Sequence, residues 1–292
     1  MKYQVVHRTL YTYEAPVTVS HHVARLTPRT LPHQTCPWHD VDITPQPVVM
    51  SPRVDAFGNQ TLYFEQAGSY TQLEVTARSW VRVEPAAVRA DTPSLAWETV
   101  RDATAADAWS PATAAGEFRH ASPLIAPHEV FAAYARTSFT PHRAVLEAAL
   151  ELNHRIFSDF AFDPVATDVA TPVLEAFEQR RGVCQDFAQV MIACLRSVGL
   201  PARYVSGYHE TLPPPGQEKL VGADASHAWV SVFCGEGLGW IDLDPTNDLQ
   251  PAERHITVAW GRDFHDVSPL RGVTWGPGEQ WLLVGVDVTR MD

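Results

Sequence analysis

The order of elements in the second half of the chain limits the folds open to it more than any other feature. Phe187, Ala188, Met191, Ile192 and Leu195 recur at helical spacing, which predicts a helix with one buried face. Gly199 and then Pro201 end it in the usual order for a helix C-terminus. No further helix pattern follows directly. Instead, strand-like runs occupy residues 203–208, 227–233 and 240–243. A Pro-rich loop over residues 209–224 separates the first two. Strands in hairpin order after helices predict an α+β fold rather than a doubly wound parallel sheet.

Upstream of this unit the chain changes character twice. Residues 3–13, 17–26, 60–66 and 73–84 alternate apolar with polar residues or are rich in Val, Thr and Trp, and Gly58-Asn59 marks a hairpin. This predicts an N-terminal β domain over residues 1–100, of sandwich-like or open-sheet type. Residues 101–116 contain seven alanines and lose the strand period, so residues 101–126 read as a connector with short helices. Thr140-Pro141 and Thr171-Pro172 are helix-start signals, with Gly182 as a stop. Residues 127–250 then form the core, and the strand-like runs of residues 251–292 form a C-terminal β extension.

Composition excludes several classes. The 292 residues carry a formal charge of −12, so no basic excess exists to neutralise nucleic-acid phosphates or an anionic membrane. No stretch approaches the roughly 20 apolar residues of a membrane span. Residues 1–17 lack the unbroken apolar region of a secretory signal. A cytoplasmic location is expected. Neither nucleic acid nor membrane is expected as a partner, and the sequence assigns no oligomeric state. The four cysteines form no C-x-x-C pair and the thirteen histidines no zinc spacing.

One cysteine stands apart. Cys184 follows Gly182-Val183 at the start of the apolar helix. Packing, a redox partner, a metal ligand and a nucleophile are all open on position alone. The exposed N–H groups and dipole of a helix start lower a thiol pKa and can bind an oxyanion. Cys194 lies ten residues on, about 15 Å along the same helix, so it cannot bond to Cys184 there and belongs to the core. Cys234 is seven residues beyond His227, an odd offset that places the two on opposite faces of one strand. Asp186 reads as a helix-start charge. A nucleophilic cysteine needs a base and an orienter, and His227 and Asp244 are placed to supply them from neighbouring antiparallel strands. Asp242 competes with Asp244, because residues two apart share a strand face.

Four ordered blocks carry a resemblance: R-R-G-V-C-Q-D-F-A, L-P-A-R-Y-V-S-G-Y, S-H-A-W-V and G-W-I-D-L-D-P-T, spanning about residues 171–246. They resemble the core of the transglutaminase-like superfamily. The N-terminal H-R-T-L-Y-T-Y and R-L-T-P-R and the C-terminal G-R-D-F-H-D-V-S-P-L-R-G-V resemble its bacterial branch. The resemblance implies a papain-like α+β core and a triad with Cys184 as nucleophile, His227 as general base and Asp244, the Asp of D-P-T, as orienter. It implies a protein or peptide substrate attacked at an amide to give a thioester. A cysteine peptidase or peptide amidase with the same triad, or a non-catalytic binding module on this fold, are the alternatives. No Trp occurs between Trp109 and Trp229, so the side chain that helps bind the oxyanion in animal members has no counterpart here. Neither a calcium loop nor another cofactor is expected. Trp229 and Trp240 are groove or core residues, and loop 209–224 is a lid candidate.

Overall fold

The structure is a computed structural model that describes residues 1–85, 92–106, 110–211, 226–276 and 278–291. It opens with four strands, β1 (Lys2–Ala24), β2 (Gln34–Thr44), β3 (Val49–Val54) and β4 (Gln60–Val83). Four α-helices follow, α1 (Trp97–Ala105), α2 (Pro111–Ala115), α3 (Glu129–Arg136) and α4 (Val145–Asp159), with a 3-10 turn (Gly116–Arg119) after α2. Strand β5 (Ala161–Phe162), helix α5 (Val173–Gln179) and strand β6 (Arg181–Gly182) lead into α6 (Cys184–Ser197). The chain then runs through β7 (Ala202–His209), β8 (Ser226–Phe233), β9 (Trp240–Leu243) and β10 (His255–Gly261), and ends with α7 (Phe264–Val267), β11 (Leu270–Trp275) and β12 (Gln280–Met291).

Two antiparallel sheets organise these elements. The larger has the order β11-β1-β4-β2, with β12 also on β1 and β3 also on β4. The smaller has the order β10-β7-β8-β9 and packs against α6. The fold is therefore α+β with an N-terminal β-rich region. Two runs read as separate strands, 3–13 and 17–26, are one strand, because the segment around Pro16 is absorbed as register shifts between Thr12, Val17 and Val19. Residues 60–66 and 73–84 are likewise one strand, β4. The last two strands pair with β1, so chain ends far apart in sequence share one sheet.

The helix boundaries differ from the dipeptide signals for local reasons. His142 takes a left-handed φ of 64°, which breaks the run from Pro141, and α4 starts at Val145. Helix α5 ends on Arg180 in the left-handed conformation, ahead of Gly182. Gly182 has a different duty: a Cβ there would lie 2.4 Å from Asp186 Oδ2, so its missing side chain admits the carboxylate that caps α6. Helix α6 is more deeply placed than one buried face requires. Every residue from Gln185 to Arg196 is buried, between α3, α4 and α5 on one side and β7 and β8 on the other.

The two sheets are joined through the free edge of β10. The Gln34 side chain donates to Thr257 O at 2.7 Å and accepts from Thr257 N at 2.8 Å. The Asn59 side chain does the same with Trp260, at 2.8 and 3.0 Å. Two side-chain amides thus stand in for a neighbouring strand and satisfy an edge that would otherwise be open. Asn59, half of the hairpin signal, is fully buried for this reason.

A second link joins the two sheets near their cores. His7 on β1 hydrogen-bonds Tyr208 on β7 at 3.0 Å while its Nε2 has no partner among the described residues. Burial pulls its pKa down to about 4. An unfolded His titrates near 6.5, so between these values the unfolded state binds the extra proton and stability falls as pH falls. The His7 contribution to this loss is about 3 kcal/mol at most. We expect His7→Gln to flatten the fall in denaturant-measured stability between pH 6.5 and 4.5. Identical slopes for the two proteins contradict this.

Candidate active site

Helix α6 begins at Cys184, with Val183 extended as its N-cap. The Asp186 carboxylate accepts from Val183 N at 2.8 Å and from Thr167 Oγ1 at 2.6 Å. Asp186 therefore fixes the helix start, as a first-turn acid does. Asp186 N and Phe187 N bond back to Val183 O, which leaves the Cys184 and Gln185 N–H groups as those of the first turn without an intrahelical acceptor. Cys184 itself is half-buried, whereas Cys194 and Cys234 lie in the apolar core.

His227 enters from β8, opposite Gly207 on β7. Its ring sits close enough to the Cys184 thiol for the sulfur to help raise the ring's pKa. Its Nε2 donates to Asp244 Oδ2 at 2.7 Å, which leaves Nδ1 for the sulfur. The tautomer is thus set by the carboxylate. Gly207 is required here: a Cβ would stand 2.1 Å from Ile256 O and 2.4 Å from the Trp229 ring. The glycine lets Trp229, two residues after His227, lie flat on β7.

Asp244 follows the last residue of β9 and bridges to Leu249 through two backbone bonds. It is 0% exposed. Its oxygens accept five hydrogen bonds, from the His227, His255 and Asn247 side chains on Oδ2 and from Thr246 N and Asn247 N on Oδ1. Asp242 is not in this network, because its Oδ2 accepts from Trp229 Nε1 at 3.1 Å. Of the two strand-end acids, Asp244 faces the histidine and Asp242 faces the indole.

The electrostatics follow from burial and pairing. Burial alone disfavours charged His227, but the hydrogen bonds and charges of Asp244 and Cys184 outweigh it and hold the imidazolium up to about 10. Burial likewise opposes charged Asp244, yet His227, His255 and Asn247 hold its carboxyl well below the usual range. His255, 5% exposed, is pulled down by burial against the support of Asp244. It is a neutral donor to Oδ2 at 3.1 Å. His209 lies next to it, ring centroids 4.5 Å apart, and is also pulled down by burial, to about 4.

His227, Asp244 and His255 place their ligand-type atoms within 4.8 Å of one another. Both Nε2 atoms sit at hydrogen-bond distance from a single carboxylate oxygen, 2.7 and 3.1 Å, so the cluster satisfies itself without an ion. His255 and Asn247 were not legible as site residues. The only local signal for Asn247 is its place three residues after Asp244, where a turn brings it back onto the carboxylate. The lid candidate at 209–224 lies outside the described residues from 212 onward. No helix among the described residues is long and apolar enough to cross a membrane.

Comparison with known proteins agrees with this architecture. The model of the bacterial transglutaminase-like N-terminal region matches residues 3–82, and that of the transglutaminase-like superfamily matches residues 132–245. An uncharacterized protein of Mycobacterium tuberculosis is 40% identical over 301 residues, covering 100% of this chain and 93% of its own length. A protein-glutamine gamma-glutamyltransferase of Pseudomonas aeruginosa is 33% identical over 151 residues, 48% of this chain and 22% of that enzyme. The crystal structure of a Cytophaga hutchinsonii protein, provisionally assigned as a cysteine protease, superposes with a TM-score of 0.74 at 18% identity, over 100% of this chain and 92% of that one. The chain belongs to the transglutaminase-like superfamily, in the form that carries the bacterial N-terminal region.

Proposed function

We propose that this protein is a transglutaminase-like cysteine enzyme that opens a carboxamide or peptide amide through a thioester on Cys184. The observation that carries the reading is the fully buried Asp244 carboxylate on the ring of His227 at 2.7 Å, with Cys184 at the start of α6 close enough to raise the His227 pKa. His227 already holds the proton of the Cys184 thiol as imidazolium, and the thiolate sulfur attacks the amide carbonyl. The Cys184 backbone N–H, at the helix start, donates to the tetrahedral oxyanion. His227 then protonates the leaving ammonia or amine, the C–N bond breaks and the thioester remains. In the second half His227 deprotonates an acceptor amine or a water, which attacks the thioester and frees the sulfur. A glutamine carboxamide is the substrate group we favour, on the likeness to the Pseudomonas aeruginosa gamma-glutamyltransferase. Hydrolysis differs only in the acceptor, which exclusion of water decides.

The test is to trap the intermediate. Incubation with a glutamine-containing peptide and an acid quench is expected to add the peptide mass, less ammonia, to the proteolytic fragment bearing Cys184. Hydroxylamine is expected to release it as a hydroxamate. Iodoacetamide is expected to alkylate Cys184 at pH 6–7 faster than a free thiol. No adduct, no ammonia and alkylation at the free-thiol rate together refute the reading.

A further inference from the structure

A cavity lies on the face of the smaller sheet away from α6, beside the segment around Leu31–His33. It has a volume of about 430 Å³ and is walled by Trp229, Trp240, Trp260, Asp242, Arg203 and His255 among others. Arg203 is the unusual member. It is 9% exposed, and its guanidinium stacks over Trp240 at 3.8 Å and Trp260 at 4.1 Å. Among the described residues its one hydrogen bond is a long one, from Nη2 to Ser231 Oγ at 3.3 Å, and its Nε has no partner. Among the described residues no carboxylate lies within ion-pair distance of it. Asp242 supports its charge from further away and spends Oδ2 on Trp229. Burial lowers the Arg203 pKa only to about 9, so the group is charged at neutral pH.

A buried guanidinium without a counter-ion is costly, because an isolated buried charge loses its hydration without recompense. A bound anion removes that cost. A second guanidinium, Arg29, stacks on the Trp260 ring at 3.5 Å without lining the cavity; its Nη1 donates to Phe57 O and Asn59 Oδ1, and its Nε has no partner among the described residues. The fork of a guanidinium matches the plane of a carboxylate. Asp242 in the wall disfavours a dianion such as phosphate and accepts from an N–H. The indoles suit a flat apolar body, and the volume is that of a small-molecule site.

We propose that this cavity binds a monocarboxylate that carries an amide or amine N–H, the chemistry of a peptide C-terminus or an acylated amino acid, with the carboxylate on Arg203 and the N–H toward Asp242. The site stands apart from Cys184 but not from its support: His255, which donates to Asp244, forms part of the wall. The proposal does not depend on the catalytic reading, and its first test does not use turnover.

That test is tryptophan fluorescence of the Cys184→Ala protein, titrated with hippurate and with its uncharged carboxamide, hippuramide. Hippurate is expected to bind at least tenfold more tightly, and Arg203→Met is expected to reduce that preference below twofold. Arg203→Met removes a buried charge and keeps the volume; should it fail to fold, Arg203→Lys keeps the charge, loses the fork and is expected to weaken hippurate at least threefold. Equal binding of the two probes, or an unchanged preference and affinity in the Arg203 variants, overturns the proposal. Kinetics on the wild type separate the two sources. Competition between hippurate and a glutamine peptide with a free C-terminus, absent when that peptide is C-terminally amidated, identifies the substrate's own carboxylate. A change in turnover without competition identifies a separate acid acting through His255. Absence of any turnover refutes the catalytic reading and leaves the binding result standing.

Discussion

Cys184→Ala is expected to reduce amide turnover to background, a loss on the order of 10⁶-fold if the three groups act as a unit, as they do in serine hydrolases. The reasoning is chemical before it is structural. Without the sulfur no thioester forms, and the remaining oxyanion donor at the helix start has nothing to stabilise. The fold should be indifferent. Cys184 is only half-buried at the first position of α6, alanine is a strong helix former, and the Asp186 bonds that fix the helix start do not involve the thiol. A stability change within about 0.5 kcal/mol is expected. One further readout separates a catalytic pair from a bystander. The raised pKa of His227 rests on Asp244 and on Cys184, so removal of the sulfur is expected to lower it. Titration of the His227 ring by NMR in the two proteins measures this directly. Full activity in Cys184→Ala, or an unmoved His227 titration, contradicts the assignment.

The candidate site was partly legible in the sequence because the residues proposed for it each carry a local signal. A cysteine at a helix start, a histidine opening a strand and an acid ending the next are each visible within a few residues. Their juxtaposition is also topologically cheap, since β7, β8 and β9 are consecutive antiparallel neighbours. What stayed illegible is what depends on distant pairing. His255 meets Asp244 only because β10 crosses to the far side of β7, which no spacing announces. Asn59 reads as a turn residue, and it is one. Its second use, closing the β10 edge 201 residues away, belongs to tertiary structure alone. The same holds for β11 and β12, whose alternation shows strands without showing that β1 is their partner. Asp242 and Asp244 were equivalent by strand parity. Only the positions of an indole and an imidazole separate them.

The second large effect is expected at Asp244, where even the isosteric Asp244→Asn should fail. Oδ2 receives three side-chain donors and Oδ1 two backbone donors. An asparagine must place its NH₂ at one of these positions, so in either orientation donor faces donor. The expected loss in kcat is about 10⁴-fold, the scale seen when an orienting carboxylate becomes an amide. The loss should fall on kcat more than KM, since Asp244 acts on His227 and is too buried to touch substrate. Stability should fall as well, by about 3–5 kcal/mol, because the partners of a buried charge are left uncompensated. The pH dependence fixes the origin of that cost. Asp244 has a lowered pKa, so its contribution is complete above about 4 and is lost only as pH falls through its depressed value. His227 has a raised pKa, so its contribution is complete below about 6.5 and is lost as pH rises toward 10. The gap between wild type and Asp244→Asn should therefore be widest between about pH 4 and 6.5 and narrow toward pH 10. Denaturant titrations at pH 5.5 and 9.5 decide it. A gap independent of pH would mean that Asp244 holds its loop through Thr246 and Asn247, with no energetic stake in the charge of His227.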